Sequence, residues 1–227
     1  MPETPPNPEL LGALLRLVRG LSALFWGLPV ALIVCVQTAK SDLLRSFNVL
    51  PSVLVTAWLA YGLWQLGHFQ KQERVWLNSL DRAKQFALVN LGLSPFLYWW
   101  NQRPDEEFYA AVITLMGVCG LLFLSSLNLA LYRLSTMLPD EALRQETRHF
   151  TRLNRSLLLG ILALAVAFRF LLHYPSLITP ALEILMTLGP GVLWLLVFLS
   201  LLPLAMTMAL LWKIKEVILE SVFGAGG

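Results

Sequence analysis

Six apolar stretches, at 20–39, 49–67, 86–100, 108–132, 156–174 and 190–212, take up most of the 227 residues. About 20 consecutive apolar residues let a helix cross the hydrocarbon core of a bilayer. With 57% of residues hydrophobic, 14% charged and a mean hydropathy of +0.66, little chain is left for a water-soluble domain. The expected fold class is all-α. One membrane domain over 1–227 forms a polytopic bundle of six transmembrane helices, fringed by amphipathic helices on its cytoplasmic side. The third stretch is the shortest and contains Pro95. Extended back to 83–100 it just spans, with Phe96, Tyr98, Trp99 and Trp100 as an aromatic belt at its outer end.

The charge distribution sets the orientation. Lys and Arg number two before the first span (Arg16, Arg19), four in 68–85 (Lys71, Arg74, Arg82, Lys84), five in 133–155 (Arg133, Arg144, Arg148, Arg152, Arg155) and two after the last span (Lys213, Lys215). The other side holds Lys40, Arg45 and Arg103. Thirteen against three places both termini in the cytoplasm by the positive-inside rule, in a plasma or inner membrane. A net charge of +3 therefore reads as topology and not as nucleic-acid binding. The Pro-rich start, at Pro2, Pro5, Pro6 and Pro8, does not read as a cleavable signal, and the first span is expected to stay as an anchor.

A threefold pattern runs through the spans. Odd spans open with Leu17-Val18-Arg19-Gly20, Leu80-Asp81-Arg82-Ala83 and Leu153-Asn154-Arg155-Ser156. Even spans close with Leu63-Trp64-Gln65-Leu66, Leu131-Tyr132-Arg133-Leu134 and Leu211-Trp212-Lys213-Ile214. Three copies of a helical hairpin would produce this, and so would the ordinary demand for Arg and aromatic residues at membrane interfaces.

Amphipathic helices are expected at 10–18, 69–82 and 139–155. In the last, Pro139, Asp140 and Glu141 suit a helix start, and Arg144, Arg148, Arg152 and Arg155 share one side. Ala142, Leu143, Phe150, Leu153 and Leu157 gather on the other. Such a helix lies in the interface with Arg on anionic lipid phosphates, or docks an acidic partner.

Within the spans the polar candidates are Arg169 and His173, one turn apart, with Glu183 in the Pro-rich 175–189 connection placed to fold back on them. Arg169 also sits within snorkelling reach of headgroups. Ala23, Gly27 and Ala31, with Gly117 and Gly120, are expected to let helices pack closely. No metal, haem or other cofactor is expected: Cys35 and Cys119 fall mid-span without ligand spacing, and His68 and His149 lie in charged connections. Gly-x-Ser-x-Gly, His-Glu-x-x-His, Walker A and paired intramembrane Asp are all absent, which argues against an enzyme. The chain reads as a non-catalytic structural or accessory subunit of a larger membrane complex, with other membrane subunits or its own copies as partners. The alternative is a permease subunit for a small solute or ion, working with a separate soluble ATPase.

Overall fold

Leu17, Leu21, Leu24, Leu28 and Ala31 recur every three or four residues, and in the folded chain they form the buried stripe of the first helix. The computed structural model describes residues 8–41, 44–69, 73–137, 141–173 and 190–223; inside these ranges, side chains at 8–11, 141–144, 146, 168–173, 190–197 and 221–223 lie outside the description. The described residues form helices and short connections, with no strand among them. The helices are α1 (Pro8–Lys40), α2 (Leu50–Leu66), α3 (Arg74–Leu93), α4 (Phe96–Gln102), α5 (Glu107–Thr136), α6 (Glu141–His173) and α7 (Pro190–Phe223). Four contain segments long and apolar enough to cross a membrane: Gly12–Lys40, Glu107–Thr136, Thr147–Ala167 and Phe198–Glu220. Helix α2 is apolar but has only 17 residues.

The amphipathic segments expected at 10–18 and 139–155 are not separate elements. The first is the start of α1, and α6 runs unbroken from Glu141 to His173. No Pro or Gly falls between Glu141 and Leu159, so nothing interrupts the i→i−4 ladder where the polar part meets the apolar part. Likewise α3 begins inside 69–82 and continues to Leu93.

The third apolar stretch is broken at Ser94–Pro95. Both residues keep helical dihedrals, φ −59°, ψ −31° and φ −61°, ψ −29°, so the chain bends there without reversing. Pro95 has no N–H for the Leu91 carbonyl. The Ser94 hydroxyl takes over, donating to Leu91 O at 2.8 Å. Helix α2 then braces the bend: Ser52 Oγ donates to Ser94 O at 3.1 Å and Thr56 Oγ1 to Ser94 Oγ at 3.3 Å.

Two seams are the most extensive. The α1 stripe faces Val55, Leu59, Leu63 and Leu66 of α2; on α3, Trp76, Leu80, Ala83 and Ala87 repeat at the same spacing against Phe123, Leu127, Ala130, Leu131 and Leu134 of α5. The charged residues Asp81 and Arg82 point away from that seam and are exposed, which is how a helix of mixed character packs tightly. Helix α7 joins through Leu210, Leu211, Ile214 and Ile218. Fully buried side chains concentrate toward the end of the bundle that carries the 67–73 and 137–140 connections.

The threefold pattern maps partly onto these seams. Leu63 and Leu66, Leu131 and Leu134, Leu211 and Ile214 are all buried, while Trp64 and Trp212 point outward. Leu17 and Leu80 are buried as well, but Leu153 is 47% exposed. The inward face of α6 is displaced by one residue and is carried by Thr147, Asn154 and Leu158.

Helices α1 and α2 cross at close range. A Cβ on Gly20 would stand 2.9 Å from the Gly62 carbonyl oxygen, and one on Gly62 would stand 3.0 Å from Leu24 Cγ. One heptad on, a Cβ at Gly27 would meet Leu59 Cδ2 at 2.9 Å. Backbone cannot yield as a flexible side chain does, so Gly20→Leu is expected to cost about 1–3 kcal/mol through overpacking. Gly12→Leu, whose added Cβ meets nothing within 4 Å, should be neutral. Thermal unfolding of the two variants in one detergent checks this, and equal midpoints would contradict it.

Candidate functional site

Three features compete for the role of functional site. The first is a polar node where α5, α6 and α7 meet. Pro203 sits inside α7 and removes one ladder donor there. One turn on, Thr207 Oγ1 donates to Pro203 O at 2.7 Å and accepts from Asn128 Nδ2 at 2.9 Å and Asn154 Nδ2 at 3.0 Å. Asn154 Nδ2 also reaches Pro203 O at 3.2 Å. All three side chains are buried. Interhelical hydrogen bonds of this kind fix which helix faces meet where hydrophobic burial gives no preference. Asn154 had no signal of its own in the sequence beyond its place in a Leu-Asn-Arg-Ser match. The pair Pro203 and Thr207, four apart, was the available clue.

The second feature is the first half of α6. Arg148, Arg152 and Arg155 are exposed along it; the side chain of Arg144 lies outside the described residues. Phe150 is exposed like Leu153, and the buried face is Thr147 and Asn154, with Thr151 half-buried between them. Thr147 Oγ1, Thr151 Oγ1 and Asn154 Oδ1 are buried with no partner among the described residues. The helix thus presents polar atoms inward, arginines to one exposed side and apolar residues to another. Arg169 and His173 belong to the last turns of the same helix, but their side chains, and Glu183 altogether, lie outside the described residues.

The third is a cavity of about 470 Å³ among α1, α2, α3, α4, α5 and α7, in the half of the bundle opposite the dense core. That volume is within the range of small-molecule sites, as is the lining: mostly aliphatic, with Thr56, Asn90, Cys35 and Ser200 as its polar members. Thr56 is already engaged by Ser52 and Ser94, and Asn90 Nδ2 donates to Phe86 O at 2.9 Å. Gly117 and Gly120 line it, and a Cβ on either would meet nothing within 4 Å. These two glycines therefore widen a cavity, and the close helix approach expected of them is not made among the described residues. Ala31 of the α1 stripe also lines the cavity, and Ala23 is half-buried.

The polar node is the feature whose removal is simplest to read. Thr207→Val keeps the shape but takes one acceptor from each of two buried amides, which keep only Leu124 O and Pro203 O, at a cost of about 1–3 kcal/mol. Its midpoint in detergent should fall, and the double variant Asn154→Leu/Thr207→Val should recover part of the loss; no change in Thr207→Val would mean the node carries no stability. No family model, curated protein or solved structure matches the chain, and its role has to be read from these residues.

Proposed function

We propose that this chain is a non-catalytic, multi-pass subunit of a larger membrane complex, crossing a plasma or inner membrane six times with both termini in the cytoplasm. Four crossings come from α1, α5, α6 and α7. The fifth is α2, about 25 Å long at about 1.5 Å per residue, with its neighbouring turns completing the distance. The sixth is the bent pair α3 and α4, whose charged first half stands at the cytoplasmic surface.

One observation carries the subunit reading. Helix α6 is barely covered among the described residues: 11% of its membrane-length window is buried, against 39% for α1. On its open side Ser156, Gly160, Ala163 and Ala167 are exposed at successive four- and three-residue steps. Small residues at this spacing are where membrane helices approach one another. A Cβ on Gly160 would meet nothing within 4 Å among the described residues. The partner on this face is another membrane subunit or a second copy, and the neighbouring arginines hold anionic lipid beside it. In mild detergent the protein should run as a stoichiometric assembly that Gly160→Ile breaks and Gly12→Leu does not. A monomer that Gly160→Ile leaves unchanged would end this reading.

A permease subunit, acting with a separate soluble ATPase, is favoured by the cavity at bilayer depth. Its aliphatic lining suits an apolar solute better than an ion. Flux in reconstituted vesicles separates the two readings, since a purely structural subunit transports nothing.

A further inference from the structure

We propose that the cavity holds one acyl chain of an anionic phospholipid drawn from the surrounding bilayer, with its headgroup at Lys40. The inference rests on the membrane-spanning reading alone and not on the subunit reading. Several lining residues are also exposed, Leu32 and Val36 on α1 and Leu201 on α7, and they mark the side on which the cavity is open. All three belong to segments of membrane-crossing length and composition, so the medium beyond that opening is lipid hydrocarbon. An aliphatic space open to lipid tails takes a lipid tail, without the hydration cost that keeps a water-soluble molecule in solution.

The headgroup follows from what stands at the end of that path. Leu32, Val36 and Lys40 are spaced four apart and lie on one face of α1, so a chain lying along the first two ends beside the third. Lys40 closes α1, is exposed, and forms no ion pair among the described residues. A phosphate there gains a cation at the interface. Helix α4 adds a donor at the same end. Its Asn101 Nδ2 reaches Ser41 O at 3.3 Å, next to Lys40. Trp100 lies three residues from Leu97, which lines the cavity, and its indole Nε1 is buried with no partner among the described residues. Ester carbonyls and phosphate oxygens are the acceptors that a phospholipid would bring there. Gly117 and Gly120 supply the width, because any larger side chain at these positions would occupy the space of the tail.

The test is lipid retention by the full-length protein, purified from nanodiscs of mixed phosphatidylglycerol and phosphatidylcholine and read by native mass spectrometry. One phosphatidylglycerol per chain is expected to remain. Gly120→Leu, and more completely Gly117→Leu/Gly120→Leu, should lower retention about tenfold or more, the loss expected from displacing only two methylenes. The added side chains enter open space, and an unchanged unfolding midpoint certifies the fold. Lys40→Gln should keep a bound lipid but reduce the preference for phosphatidylglycerol about fivefold. Retention unaltered by the glycine variants would overturn the proposal, as would a headgroup preference that Lys40→Gln leaves intact. So would displacement of the lipid by a free fatty acid at equal concentration, since the site would then select a soluble amphiphile.

Discussion

Proline in the middle of a helix creates a carbonyl without a donor, and inside a bilayer no water is at hand to repair it. Pro29 in α1, Pro95 at the α3–α4 bend and Pro203 in α7 each leave one, and polar side chains gather at the last two. At Pro95 the repair is local, by the preceding Ser94, and the same serine becomes the point on which α2 is fastened through Ser52 and Thr56. At Pro203 a threonine one turn later binds the proline's own carbonyl and becomes the acceptor for asparagines from α5 and α6. At Pro95 the break in the helical ladder has become the polar contact between helices; at Pro203 the contact forms on the proline's own carbonyl, not on the Leu199 carbonyl that the ring leaves without its donor. Since lipid tails are as apolar as leucine, such contacts and close van der Waals fit choose the partners that burial alone leaves undecided.

The two ends of the bundle differ in kind for the same reason. Toward the 67–73 and 137–140 connections, heptad-spaced leucines and the Gly20–Gly62 crossing close the space between helices. Beyond Leu28 on α1 and Leu124 on α5 the packing opens around the bend at Pro95, and Gly117 and Gly120 leave room where Gly20, Gly27 and Gly62 remove it. The same residue type thus tightens one half and hollows the other, according to whether a backbone or empty space stands opposite.

Much of the fold was legible in the apolar stretches, because length and composition fix a membrane helix almost unaided. Four such helices follow directly, and so does the outward position of Arg148, Arg152 and Arg155. Element boundaries were less legible: a change from polar to apolar residues at 155 and 156 marks a change of surroundings, not a break in the backbone. The expected packing role of Gly117 and Gly120 also rested on residue type alone, whereas what decides it is the neighbour across the gap. Asn154 was hidden by its amphipathic context, since one residue of rotation separates the face that carries arginine from the face that meets Thr207. Ser94 was readable in hindsight from its place before Pro95, where a hydroxyl can reach back to the stranded carbonyl.

The proposed six-span arrangement depends most on α2 and the bent α3–α4 pair crossing the membrane together with the four helices long and apolar enough to do so. Single cysteines in a background carrying Cys35→Ser and Cys119→Ser measure this directly with a thiol reagent that does not cross membranes. Asn48→Cys and Asp105→Cys should be labelled in intact cells, whereas Glu73→Cys and Gln145→Cys should react only after permeabilisation. Labelling of Glu73→Cys and Asp105→Cys from the same side would show that α3 and α4 do not cross, and would contradict the six-span bundle.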